Sequence, residues 1–314
     1  MTVLEWLLDS DPAVRWQVLR DLTDSAPETV AAERARIASD GWGARLLAVR
    51  DADGQWAGGA CFPAAFTGDF SQGQPWTSTL PTLQLLRELG IDPADPRVRE
   101  TIVLVRDNCR WEYDALPFFD GEVEPCINGR TVALGAYFGV DVDGIVDRLR
   151  GEQLEDGGWN CDTERGSVRG SFDSTICVLE GLLEHERAGG GSPRAQAVRR
   201  RGEQYLLDRG LFRRLSTGEV ADPGWLQYAF PVWWHYDVLR ALDYFRAAAD
   251  APDPRLDEAV ALLRAKRQAD GTWLLDRIHP GAVHIETDDG VGRPSRWNTL
   301  RALRILAWYD DARG

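Results

Sequence analysis

The sequence predicts an all-α fold, an (α/α)6 toroid in which an inner ring of helices is wrapped by an outer ring. Three observations carry this expectation. Apolar residues recur with the helical period of 3.6 along nearly the whole chain, and almost no stretch alternates as a strand would. A short Asp-Gly-x-Trp turn is repeated at Asp53–Trp56, Asp156–Trp159 and Asp270–Trp273. Helices that are apolar on most sides alternate with helices carrying a charged stripe, the pattern of buried elements set between solvent-facing ones.

The elements follow in order. Val3 to Leu8 opens the chain, and Asp11-Pro12 starts a helix through Arg15, Val18 and Leu22 toward Asp24, with proline just inside the start. Ala31 to Arg50 reads as a further helix, interrupted near Gly41, and the first Asp-Gly-x-Trp turn ends the unit. In such a turn Asp bonds its own backbone two residues on, glycine accepts positive φ, and Trp folds back as an apolar anchor. Apolar helices then start at Trp76–Thr79, Cys126–Gly129, Phe172–Thr175, Trp234–Asp237 and Trp297–Leu300. Charged helices begin near Pro96, Val142, Pro193 and Pro254. The unit recurs about every 50 residues, the mark of a repeat architecture. With Pro12–Asp24 counted, six inner helices result. The terminal elements show no polar capping face, so a closed ring fits better than a HEAT-like solenoid, which Ser10–Leu22 would support alone. One domain over residues 1–314 is expected.

Composition narrows the function. Fifty acidic residues against 36 basic ones give a formal charge of -14 in 314 residues, with a pI near 4.8. Nucleic-acid backbones need a basic face, so no nucleic-acid partner is expected. A mean hydropathy of -0.33 accompanies the absence of any run near ~18 apolar residues, so no integral membrane segment is expected. The N-terminus carries acids where a signal peptide would be basic, which points to the cytoplasm. Cys61, Cys109, Cys126, Cys161 and Cys177 are odd in number and irregularly spaced, as reduced thiols are. Thirteen tryptophans, many beside turns, suit interlayer staples or a cavity lining.

Gln153-Leu154-Glu155-Asp156-Gly157-Gly158-Trp159 resembles the glutamine–tryptophan motif of squalene and hopene cyclases and the related repeats of protein prenyltransferase β subunits. The Gln268 copy is one residue shorter, and the Asp53 copy lacks the glutamine. The resemblance implies a toroid around an apolar cavity, active residues at inner-helix ends, and an isoprenoid or other apolar small molecule as substrate. Its acid is missing here, because the cyclases use an Asp-x-Asp-Asp motif that this chain lacks. Asp141-Val142-Asp143-Gly144 precedes an outer helix, where Asp is a routine cap. Asp288-Asp289 lies in a Gly-rich loop and reads as turn chemistry.

The resemblance to prenyltransferases also implies zinc, held in that family by Asp, Cys and His. Cys126, Asp173 and His235 each fall near the start of a successive inner helix, and thiolate, carboxylate and imidazole with one open position make a catalytic zinc set. The spacing is no local metal motif, and the family's Asp and Cys share one helix, so the ligands do not transfer one by one. A buried thiol, an N-cap and a hydrogen-bonded imidazole are the plainer readings of these three. A metal-free alternative makes Asp173 and Asp237 buried proton donors, with Tyr236 beside them as a third catalytic candidate. Trp76, Phe172, Trp234 and Trp297 would then face a developing cation, although core packing also explains each aromatic. Arg130 and Arg296, with Arg169 and Arg293, are candidate donors to a diphosphate or carboxylate. His279, His284 and Glu286 mark a loop long enough to be a lid. A terpenoid cyclase/prenyltransferase-like enzyme, zinc-assisted, is the expected function. A non-catalytic binding module and a carbohydrate-active (α/α)6 enzyme are the alternatives.

Overall fold

The computed structural model describes residues 1–249 and 251–312. Among them are thirteen α-helices and no strand, β-type pairing being confined to isolated bridges. The helices are α1 (Val3–Leu8), α2 (Pro12–Asp21), α3 (Pro27–Ala35), α4 (Gly41–Ala48), α5 (Thr79–Leu89), α6 (Pro96–Asn108) and α7 (Pro125–Phe138). They continue with α8 (Asp143–Gly151), α9 (Phe172–His185), α10 (Pro193–Leu207), α11 (Val238–Ala248), α12 (Asp257–Ala265) and α13 (Arg296–Asp311).

Local chemistry explains most boundaries. Thr2 and Glu5 form a capping box on α1, and Asp11, Asp95, Ser171, Ser192, Asp237 and Ser295 cap α2, α6, α9, α10, α11 and α13 with their side-chain oxygens. The helix expected to reach Asp24 stops at Asp21, and the Thr23 hydroxyl donates to Leu19 O at 2.9 Å. The stretch expected as Ala31 to Arg50 is two helices joined by a 3-10 turn at Arg36–Ala38. Its second half begins where Trp42 N–H donates to the Asp11 carboxylate at 2.7 Å.

The repeated turns do the same work three times. In each, the Asp Oδ1 accepts from the N–H two residues on, in Gln55, Gly158 and Thr272, at 3.0–3.1 Å. Gly54, Gly157 and Gly271 take φ of +94°, +90° and +87°, a region closed to most side chains. The three tryptophans are fully buried, and each indole N–H donates to a leucine carbonyl near the end of the preceding helix: Leu46 in α4, Leu149 in α8 and Leu263 in α12, at 2.7–2.8 Å. That adds a donor to a carbonyl of the last helical turn, where the i+4 amides run out. The tryptophan backbone N–H groups donate to Thr79, Thr175 and Thr299, in the first turns of α5, α9 and α13, at 3.0–3.3 Å. One side chain thereby ties the end of an outer helix to the start of the next inner one.

The inner helices touch in chain order. α5 lies against α7, α7 against α9, α9 against α11, and α11 against α13, which returns to α2. α2 meets α5 through Trp16 Nε1, donating to Leu89 O at 2.8 Å, and Gln17 Nε2, donating to Glu88 O at 3.0 Å. The contacts therefore run in a closed cycle. Outside it, α8 packs on α7, α10 on α8 and α9, and α12 on α11.

The α7–α9 contact is the closest of the cycle, because glycines let the backbones meet. A Cβ on Gly181 would lie 2.2 Å from Gly129 O, and one on Gly129 would lie 2.5 Å from Cys177 O. Gly181→Ala is expected to cost about 1–3 kcal/mol by forcing these helices apart. Urea unfolding checks this, and a cost indistinguishable from zero would show that the contact relaxes freely.

Candidate functional site

The sequence-derived candidates occupy the N-terminal ends of the inner helices, yet most are already committed to the fold. Asp173 Oδ1 accepts from Tyr236 N at 2.7 Å, tying α9 to the segment before α11. Both oxygens of Asp237 are taken, Oδ1 by Arg240 N at 2.7 Å and Oδ2 by Ala229 N at 3.2 Å, so this residue is the α11 cap. Burial raises both carboxyl pKa values, but neither oxygen set opens to a cavity lined by these residues. Tyr236 is buried, donates to Leu211 O at 2.5 Å and packs edge-on against Phe172 and Trp225.

The aromatics and arginines divide similarly. Trp76 stacks on Trp233 at 5.1 Å and donates to Pro280 O at 3.1 Å. Trp234 Nε1 donates to Gln74 Oε1 at 3.0 Å. Arg296 binds the carbonyls of Trp6 and Asp9 and lies over the Trp6 ring, so it anchors α1. Arg130 is buried, its Nε donating to Cys126 O at 3.3 Å. Trp297 stacks on Phe230 at 4.3 Å and, alone of these candidates, lines the central cavity. In the expected lid, His279 stacks on His235 at 3.5 Å and His284 Nε2 donates to Thr77 O at 2.9 Å, which pins the loop across the ring.

The metal set predicted from sequence does not assemble. Among the described residues, the donors that approach one another within 4.8 Å are Glu124, Cys126 and Cys161, whereas Asp173 and His235 belong to no such group. Asp173 is spent on Tyr236 N, and His235 is stacked between Trp234 at 3.8 Å and His279. Burial, aided by the positive charge of Arg277, pushes the His235 pKa down to about 3. Cys126 therefore keeps its place, with two different partners. Glu124 precedes α7, and Cys161 follows the Trp159 turn, so the same staple that joins α8 to α9 brings the second thiol to the start of α7. Cys126 Sγ lies 3.4 Å from Glu124 Oε2, and Cys161 Sγ lies 3.3 Å from Ser174 Oγ. Cys161 is partly exposed, and all five cysteines are free. Two thiols and a carboxylate could hold a metal ion.

A second feature was not expected. All six helices of the cycle line a central cavity of about 230 Å³ that carries six arginines and four carboxyls instead of the implied apolar wall. Most of the charges are paired. Arg240 clasps Glu180 with Nε and Nη2 at 2.8 and 2.7 Å, and Arg87 clasps Glu184 at 3.0 and 2.6 Å. Asp243 accepts from Arg246 and Arg304 and lies 3.7 Å from Arg301. The signal was present in the sequence as charges inside otherwise apolar helices, Arg87-Glu88 in α5, Glu180 and Glu184 in α9, Arg240 and Asp243 in α11, Arg301 and Arg304 in α13. All of these residues line the one cavity.

Asp288, read from sequence as a turn residue, accepts from Ser295 Oγ at 3.0 Å and Arg296 N at 3.1 Å, and burial pushes its pKa up to about 7. It fastens the 279–294 segment to the start of α13. No helix among the described residues is long and apolar enough to cross a membrane. Compared with known proteins, the chain matches no family model, and no curated protein matches it.

Proposed function

We propose that residues 1–314 form a single (α/α)6 toroid of the terpenoid cyclase/prenyltransferase-like class, a cytoplasmic enzyme that acts on a small molecule at the N-terminal end of the ring with the help of zinc. The observation that carries this reading is the convergence of Glu124, Cys126 and Cys161. Two thiolates and a carboxylate suit zinc, and three protein donors leave a fourth position for water or substrate. A zinc ion there supplies a Lewis acid and lowers the pKa of whatever water or thiol it binds.

The chain's own residues prepare the place. The Trp159 staple positions Cys161, Ser174 Oγ orients its sulfur at 3.3 Å, and the α7 start presents Cys126. Partial exposure of Cys161 lets a substrate reach the donors. Arg130, one turn along α7 from Cys126, would meet the diphosphate end of an isoprenoid substrate. The isoprenoid class itself rests on the resemblance of the repeated turns and on the aromatic cluster around Trp76, Trp233 and Trp234.

Protein prepared without chelator is expected to contain about one zinc per chain, since a site with three protein ligands retains its metal through purification. Cys161→Ala should lose it, whereas Asp173→Asn and His235→Ala should keep it. Elemental analysis of the four proteins decides the matter: metal-free wild type, or loss on His235→Ala and retention on Cys161→Ala, sinks the assignment.

A further inference from the structure

The central cavity lies apart from the thiol site, toward the C-terminal ends of the inner helices, and its chemistry is different. Arg87 and Glu184 stand near the ends of α5 and α9, and Arg187 and Arg246 stand at the ends of α9 and α11. Phe230, Val232 and Trp297 close one side. In a chain whose formal charge is -14, this cavity carries more guanidinium groups than carboxyls, six against four.

The excess is larger than the count suggests. Glu180, Glu184 and Asp243 each have arginine partners, but Glu88 has none: its Oε1 accepts from Gln84 Nε2 at 3.0 Å, and its Oε2 is buried without a hydrogen-bond partner. A buried carboxylate without a donor is costly, which favours the neutral acid. Burial accordingly pushes the Glu88 pKa above its ordinary value. Arg187 is solvent-exposed at the edge of the cavity, where its Nη2 reaches only the Ala247 carbonyl and its charge meets no carboxylate in an ion pair among the described residues.

An approach to the cavity is positive too. A neighbouring cavity of about 630 Å³ shares Arg87, Arg187, Tyr137, Glu88 and Glu184 with it and adds Arg20 and Arg34 from α2 and α3, four guanidinium groups against two carboxyls. A cavity wall with an excess of one sign of charge raises the local concentration of the opposite ion. Guanidinium groups bind carboxylates and phosphates through paired, charge-assisted hydrogen bonds. The volume of about 230 Å³ is below the ~300–1,000 Å³ of ordinary small-molecule pockets, so the occupant is compact.

The geometry points to a second ligand site in the centre of the ring, distinct from the metal donors, which takes a compact polyanion bearing phosphate or carboxylate groups. Arg187 is its free cation and Arg87 its shared one, released from Glu184 as the ligand arrives. Glu184 competes with the ligand for Arg87, so the site binds by exchange of one anion for another.

Isothermal titration calorimetry with inorganic pyrophosphate and with tricarballylate tests this and separates phosphate from carboxylate preference. Wild type is expected to bind at least one of them saturably, at one site per chain. Arg187→Gln should weaken that binding about tenfold, the loss of one charge-assisted hydrogen bond. Glu184→Gln should strengthen it by a similar factor, a gain that partial unfolding cannot produce. Binding should persist in Cys161→Ala, which lacks the metal site, so failure here and failure of the zinc assignment are told apart. Absence of saturable binding of either probe, indifference to both cavity variants, or loss in Cys161→Ala overturns the proposal.

Discussion

Replacing Trp159 by alanine is expected to destabilise the protein by about 3–5 kcal/mol, the range for deleting a large buried aromatic. Two losses combine in this variant. The indole is fully buried, so its removal opens a cavity between α8, α9 and α10, where a Cβ on Gly202 would already lie 2.7 Å from the ring. The indole N–H also leaves Leu149 O, which it reaches at 2.7 Å, without a partner. Trp159→Phe restores most of the volume and isolates the second loss, about 1–3 kcal/mol for an unsatisfied buried group. Urea unfolding of both variants measures the two contributions. The same staple positions Cys161, so Trp159→Phe should also weaken metal retention while leaving the chain folded. A cost below about 1 kcal/mol for Trp159→Ala would show that the repeated turns are not what joins the helix pairs.

Asp243→Ala carries the other large effect, about 3–5 kcal/mol for removing one partner from a buried charge network. Asp243 on α11 is the common acceptor for Arg304 on α13 and Arg246 on its own helix, with Arg301 close by. Without it, Arg304 retains only Gln17 Oε1 at 2.9 Å and Asp21 at 3.5 Å, both from α2. The carboxylate thus holds together three neighbours in the cycle of inner helices.

The same residue gives a pH dependence whose direction is fixed. Burial alone would raise the Asp243 pKa, but Arg304, Arg246 and Arg301 overcome it and hold the carboxyl well below its ordinary value of 3.8. A carboxyl depressed in the folded state stabilises fully above its unfolded pKa and loses that contribution as pH falls toward the folded value. Wild type should therefore weaken in acid below about pH 4, and Asp243→Asn should show a flatter acid limb. Urea midpoints at pH 7, 4 and 3 compare the two, and parallel acid limbs would remove Asp243 from the account.

Helix starts were legible because they rest on local rules. Proline at the first helical position at Pro12, Pro96 and Pro193, the Asp11 start and the Asp-Gly-x-Trp turns each act within a few residues, whereas the cap read at Asp173 is made by Ser171. The interruption expected near Gly41 is present, and a partner from elsewhere fixes it: the Asp11 carboxylate binds the Trp42 N–H across the α2–α4 contact. The candidate site was less legible for the same reason. Cys126 does stand among possible donors, but its expected partners were taken from other inner-helix starts, whereas Cys161 arrives from the loop after Trp159 and Glu124 from the residues before α7. Asp173 and Asp237 looked like free acids, but backbone N–H groups take Oδ1 of Asp173 and both oxygens of Asp237.

The all-α class, the order of helices and the three stapling turns are written in the residues themselves, since periodicity, caps and turn geometry need only near neighbours along the chain. Which thiol meets which, and that the charges scattered through α5, α9, α11 and α13 face one another across a single cavity, emerged only when the helices packed. Those pairings join residues far apart in sequence, and their energies depend on burial, distance and the loss of water. None of these exists before the inner helices close on one another.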